Sequence, residues 1–275
     1  MGKKKVLTVL SEHGYWGEEL LGPLECLEAA GHELEMMTPK GRRPRALPVS
    51  MDPGFVDPPL GMPVTSAETA TKVRALDESS RLASCRNLSA WFPERPYFSA
   101  PHFLRALEAY NENLAQARRD LEAFDALLLV GGSGPIVDMV NNQRLHDVIL
   151  AFYQADKPIC AICYGVACLA FARDLNERKS ILWGRHVTGH TVEYDYHDGT
   201  GFLGSDLNMG PPPYTLEYIL RDTVGPEGAY HGNFGKKTSV IVDYPFITAR
   251  SNQCSYEAGA ALVAVLDKGL RRKGW

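Results

Sequence analysis

Cys163 stands in the junction Ile162-Cys163-Tyr164-Gly165, directly after the apolar run Pro158 to Ile162. A buried strand that turns sharply into a helix there, with a glycine leaving room for the turn, exposes the thiol. It also aims backbone N–H groups at a developing oxyanion and lowers the thiol pKa through the helix N-terminus. This is the geometry of a nucleophile elbow. The competing reading of the same residue is a buried structural cysteine, packing as a small hydrophobe. Two further features fall at the ends of apolar runs: the carboxylate pair Glu18-Glu19 after the first run, and Gly131-Gly132 after Ala126 to Val130. Sites in open α/β sheets form beyond the carboxyl ends of the strands. All three features are therefore expected at one edge.

Other candidates carry less. Cys160 and Cys163 spell C-x-x-C, but Cys160 lies inside the buried run and no second such pair exists for zinc, so neither a redox dithiol nor a metal site is expected. His186, His190 and His197 with Asp195 and Asp198 match no compact metal spacing. The turn at Val130 to Pro135 lacks the glycine patterns of nucleotide-binding loops. His13, Tyr15 and Trp16 follow the first strand and either wall a pocket or pack as ordinary loop residues. Met209 to Pro213 reads as a rigid loop near the mouth or at a subunit contact.

The elements that must position these groups alternate. Val6 to Leu10 reads as a strand and Trp16 to Ala30 as a helix, with Pro23 an awkward interior residue. Leu34 to Thr38 is a second strand. From Gly41 to about Tyr97 eight prolines interrupt the chain and only Ser66 to Ala83 reads as helix, so the stretch 41–97 is expected to be an insertion, either a cap over the site or inert decoration. Phe103 to Phe124 is an amphipathic helix or helix pair. Ala126 to Val130 is a strand buried on both faces, Gln143 to Gln154 a helix, Pro158 to Ile162 a strand and Val166 to Leu175 a helix. Ser239 to Val242 and Phe246 to Ala249 form a hairpin, and Tyr256 to Leu270 closes the chain as a helix. The alternation implies an α/β fold with a mostly parallel sheet and helices on both faces.

The chain has 275 residues, 45% hydrophobic and 23% charged, enough for one large domain. The net charge of −4 provides no basic field for nucleic acid. Lys3-Lys4-Lys5 and Arg271-Arg272-Lys273 read as solvated ends, the latter in the last turn of the closing helix. No run approaches the ~20 apolar residues that cross a bilayer, and no leader segment is evident. Six sparse cysteines suit a reducing compartment. A soluble, cytoplasmic protein is expected.

Gly14-Tyr15-Trp16-Gly17-Glu18-Glu19, Pro23, Ala30-Gly31, Thr38-Pro39-Lys40-Gly41, Val130-Gly131-Gly132-Ser133-Gly134-Pro135, Lys157 to Gly165, Val187-Thr188-Gly189-His190 and Thr248 to Asn252 together closely resemble the ThiJ/PfpI superfamily. The resemblance covers most of the chain outside the insertion. It implies a flavodoxin-like sandwich of the class I glutamine amidotransferase type. It also implies a nucleophile at Cys163, a proton-sharing carboxyl at Glu19 with Glu18 facing solvent, and oxyanion-hole N–H groups from Gly132 and Tyr164. A raised Glu19 pKa and a lowered Cys163 pKa are expected to be coupled.

The branch that includes glyoxalase III and heat-shock chaperones places a histidine directly after the cysteine, where this chain has Tyr164. His190 matches the histidine of the smaller, deglycase-like branch; it is a general base or a hydrogen-bonded structural residue. Glu193 is placed to orient it. The histidine and glutamate of amidotransferase triads are missing near Ser251 to Tyr256. The resemblance thus implies a cofactor-free enzyme acting through Cys163 on a small electrophilic carbonyl compound, glyoxalase III-like or deglycase-like. The alternatives are a specialised hydratase or lyase, as on isonitriles, and a non-enzymatic holding chaperone or thiol oxidation sensor. The implied partners are a small-molecule substrate and a second copy in a homodimer, with no metal, nucleic acid or membrane.

Overall fold

The computed structural model describes residues 2–57, 61–192, 215–233 and 239–275. In chain order the strands are β1 (Lys5–Val9), β2 (Glu33–Thr38), β3 (Val56–Asp57), β4 (Met62–Pro63), β5 (Arg86–Asn87), β6 (Ala126–Leu129), β7 (Ile159–Ile162), β8 (His186–Val187), β9 (Ala229–Tyr230), β10 (Val240–Asp243), β11 (Phe246–Ala249) and β12 (Arg272–Lys273). Eight of them form one sheet in the order β12-β10-β11-β7-β6-β1-β2-β5. It is parallel from β5 through β11 and antiparallel at β10 and β12. β6 and β7 have every residue buried, as strands covered by helices on both faces require.

Helix α1 (Gly17–Ala29) follows β1. It accommodates Pro23 beside the helix Ser255–Lys268, where Gly259 permits a close approach: a Cβ there would lie 2.7 Å from Pro23 Cα. α2 (Ala67–Glu78) begins at Ser66, whose hydroxyl accepts the Thr69 N–H. α3 (Leu88–Trp91), α4 (Phe103–Asp120), α5 (Pro135–Asp138), α6 (Gln143–Gln154), α7 (Ala167–Ala170), α8 (Leu216–Thr223) and α9 (Ser255–Lys268) are further helices among the described residues.

The proline-rich stretch holds more regular structure than its composition suggests. Its hairpin β3-β4 stands apart from the main sheet, α2 packs Val73 against Gly17 of α1, and β5 extends the sheet beside β2.

Two expectations about element boundaries are corrected. The helix expected over Val166 to Leu175 is a 3-10 turn, Cys163–Val166, followed by the four-residue α7. The helix ends at Ala170, and beyond it the Asp174 side chain accepts the N–H groups of Asn176 and Glu177 in a local turn that competes with helix. Arg271-Arg272-Lys273 do not occupy a last helical turn. Gly269 stops the helix in the left-handed region, and Arg272–Lys273 pair with β10 as an edge strand. Among the described residues no helix is long and apolar enough to cross a membrane.

Candidate active site

Register brings the site together. Val9 of β1 stands beside Leu129 of β6, and Leu129 beside Ala161 of β7, so three carboxyl ends lie level. Immediately beyond β7, Cys163 has φ 54. A side chain other than glycine in that region costs about 1 to 3 kcal/mol and persists only where its surroundings impose it. The turn after β6 imposes it. A Cβ on Gly131 would overlap the Ile162 carbonyl oxygen and Glu19 Oε2 and lie 2.8 Å from Cys163 Cβ. Gly132, at φ 94, leaves room for the backbone of Tyr15 and Trp16. The Trp16 N–H donates to the Gly131 carbonyl at 3.1 Å, which pins the start of α1 to this turn. Glu19, on the first turn of α1, is thereby delivered to the sulfur.

Glu19 is 1% exposed. Burial pushes its carboxyl up to about 8, against the opposing effect of the Cys163 thiol and the N–H groups of Gly131 and Gly132; the neighbouring Glu18 charge raises it further. It therefore carries a proton at neutral pH. The Cys163 thiol moves the other way from the expectation. Burial first, and the facing Glu19 carboxylate second, push it well above the ordinary thiol value, outweighing the N–H groups of Gly132 and Tyr164 that favour the thiolate. The reason is structural: the sulfur is buried at the turn beside the Glu19 carboxyl, so the charged form loses its solvent. The resting site holds its protons, and attack needs a group to remove one.

His190 stands where such a group is needed. Its Nδ1 lies 3.4 Å from Cys163 Sγ, and the ring is buried. The Tyr164 ring packs on the imidazole at 4.5 Å between centroids, so the residue that replaces the expected second histidine braces the one present. Long-range bonds hold the His190 segment. The Thr188 N–H donates to Thr248 Oγ1 at 2.9 Å, the Tyr230 hydroxyl donates to the Gly189 carbonyl at 3.1 Å, and the Val192 N–H donates to Glu217 Oε2 at 3.1 Å. Sequence reasoning missed Tyr230, Thr248 and Glu217. A lone threonine in the apolar strand Phe246–Ala249 was the one available signal.

Glu18 does not face solvent as expected. It is half-buried and its carboxyl is pushed up to about 7 by burial, opposed by a hydrogen bond with Asn252. The Asn252 amide also donates to the Val64 carbonyl of the proline-rich stretch at 2.9 Å. Of the expected pocket wall, Trp16 is 7% exposed beside the turn. Tyr15 is fully buried with its hydroxyl donating to Asp77, so it braces the loop, and His13 is exposed at the surface. Burial pushes the Cys160 thiol up to about 12, as befits a packed residue. Glu193, the group Asp195, His197 and Asp198, and the loop Met209 to Pro213 lie outside the described residues. Among the described residues no cluster of three or more histidine, cysteine or acidic side chains could hold a metal ion.

Comparison with known proteins agrees with this architecture. A bovine (Bos taurus) protein named glutamine amidotransferase-like class 1 domain-containing protein 1 is 32% identical over 146 residues, 53% of this chain and 60% of that protein. The chain thus spans about three-fifths of the length of the curated relatives it matches. The fold is shared with the Francisella tularensis rapid encystment protein of 24 kDa, at TM-score 0.67 and 19% identity over 96% of this chain and 99% of that one. It is shared too with glyoxalase III from Candida albicans, at TM-score 0.64 and 17% identity over 96% and 98%. Residues 10–222 match the family model described as ThiJ/PfpI family-like, and with most of its length covered the chain belongs to that family.

Proposed function

We infer that the protein is a cofactor-free, cysteine-dependent enzyme in which Cys163 attacks a small electrophilic carbonyl compound. One observation carries the reading: a strained, left-handed cysteine has a buried carboxyl and an imidazole both at its sulfur. As the substrate closes on the site, His190 Nδ1 takes the thiol proton and the sulfur adds to the carbonyl carbon. The N–H groups of Gly132 and Tyr164 receive the growing negative charge on oxygen, and Glu19 supplies the proton that completes a hemithioacetal.

With a 2-oxoaldehyde, moving the aldehyde hydrogen to the neighbouring carbonyl carbon, by proton removal and return, converts the hemithioacetal to a thioester. Water then cleaves the thioester to a 2-hydroxy acid and returns the thiol. The name of the Candida albicans neighbour makes glyoxal compounds the first substrates to try. In this reading residues 41–97 cap the site, supported by the Ser50 hydroxyl accepting the Gly17 N–H at 3.0 Å and by the bond from Asn252 to Val64.

The test is turnover of a panel of 2-oxoaldehydes, glycated amines and isonitriles by wild type and Cys163→Ala, with intact-mass detection of a covalent adduct. Loss of about four orders of magnitude in the variant, with an adduct on Cys163 of the wild type, is expected. Unchanged turnover in Cys163→Ala would refute the mechanism. An adduct from an isonitrile alone would move the enzyme to the hydratase class.

A further inference from the structure

Away from the sulfur, His186 on β8 and His231 just beyond β9 meet ring to ring, with His186 Nδ1 2.8 Å from His231 Nε2. The Trp275 indole stacks on His186 at 3.4 Å between centroids. This pair sits on the two strands that deliver His190. The His231 N–H donates to the Val187 carbonyl at 2.8 Å. Val187 stands in register with Tyr230, and the Tyr230 hydroxyl donates to the carbonyl of Gly189, the residue before His190.

We propose that His186 and His231 form a proton-sensitive clip that positions His190 against Cys163, closed while one ring accepts the other's N–H and open when both rings are protonated. The clip rests on the reading of Cys163 and His190 as a working pair, and supplies that site's regulation. Its chemistry follows from the imidazoles alone. A bond between two rings needs one bare nitrogen, which neutral or singly protonated pairs possess and doubly protonated pairs lack. Loss of the bond then adds repulsion between two cations at the same place.

The surroundings sharpen the response. Asp243 on β10 accepts the His186 backbone N–H at 2.9 Å and is paired with Arg185 at 3.6 Å. Arg272 lies over the Trp275 ring at 3.5 Å, and the buried Arg250 donates to the carbonyl of Gly232, next to His231. Farther along, Arg221 covers Tyr230 and is paired with Glu217. Arg185, Arg272 and Arg250 are the cations on the elements packed around the pair. Burial and the neighbouring His186 hold His231 below the ordinary imidazole value, so opening belongs to acid conditions below neutrality.

The experiment uses the full chain and needs no substrate. Imidazole nitrogen NMR follows both rings through pH, and alkylation of Cys163 by iodoacetamide, located by peptide mass, reports the site. His186 and His231 are expected to titrate as a coupled pair. Between about pH 7.5 and pH 5.5 the wild-type alkylation rate should fall about threefold further than that of His231→Gln, which keeps a hydrogen-bonding nitrogen or oxygen but cannot be protonated. Should His231→Gln fail to fold, His186→Asn carries the same expectation. Independent titration of the two rings, or a variant that follows the wild-type curve, would overturn the clip. Turnover surviving in Cys163→Ala while the coupled titration and the alkylation difference hold would remove the catalytic reading and leave the clip standing.

Discussion

The two sides of the sulfur are built differently. The elbow side is made by short-range steric fit: three buried strands in register, a turn whose Gly131 tolerates no side chain, and a helix start pinned to it by one backbone bond. The histidine side is made by polar bonds reaching far along the chain, from Thr188 to Thr248 and from Tyr230 to Gly189. Steric fit fails abruptly when an atom is added, because close-packed interiors have nowhere to put it. Bonded segments fail by degrees. The nucleophile and its carboxyl should therefore be all-or-none features of the fold, and the base a tunable one.

The largest break should come from Gly131→Ala. The added methyl meets a backbone carbonyl oxygen of β7, which cannot step aside, and the end of the buried Glu19 side chain, which must move from its place beside the sulfur. Destabilisation of about 1 to 3 kcal/mol by chemical denaturation is expected. Turnover should fall about a hundredfold, since a displacement near 1 Å at the reacting groups costs that much. A variant with wild-type stability and activity would show that the turn does not hold the site.

A comparable loss of turnover without the steric misfit is expected from Glu19→Gln, and the sign of its effect on stability can be worked out. The Glu19 carboxyl ionises at about 8 in the folded chain and at about 4.3 when unfolded. Between those values the native state keeps a proton that the unfolded chain has released, so stability falls as pH rises through the window and levels off above it. Glutamine has no such proton. Denaturation at a series of pH values should show wild type losing stability relative to Glu19→Gln by at most about one proton's worth per pH unit. Parallel curves would mean that Glu19 is ionised in the native state. The substitution also removes the acid, with a loss of about a hundredfold in turnover.

The same division explains what was legible beforehand. The strands at Ala126 and Ile159, the turn at Gly131 and the junction at Cys163 could be read because each is encoded by contiguous residues: an apolar run, then glycine or a sharp turn. Their meeting at one edge followed from the parallel sheet. The helix after Cys163 is shorter than expected because the chain leaves helix after Ala170, while the alanine, phenylalanine and leucine content of 170–175 continues without a local stop signal. The direction of the thiol shift is opposite to the expectation because burial of the sulfur, which no local pattern announces, outweighs the N–H groups that favour the thiolate. Glu18 was misplaced because its partner, Asn252, arrives from the other end of the chain. The supports of His190 left almost no trace. Tyr230 lies 41 residues from Gly189 and Thr248 lies 60 from Thr188, distances at which no local pattern links donor to acceptor.

Tyr230→Phe is the mildest perturbation and the one that separates the two sides most cleanly. It removes a single hydroxyl and leaves Gly189 with an unmatched buried carbonyl, a loss of about 1 kcal/mol. The ring stays, so β9 should keep its pairing with β8. The hydroxyl serves the histidine side through the Gly189 carbonyl, and Cys163 and Glu19 should keep their positions. A graded support predicts a fall in turnover of about threefold to tenfold, with substrate binding little changed, because only proton transfer through His190 is impaired. The wild-type response to pH below neutrality should weaken as well, since the link from His231 through Tyr230 to Gly189 is cut. Loss of activity as complete as that in Gly131→Ala would mean that the histidine side is held as rigidly as the elbow, and the distinction between the two modes of assembly would fail.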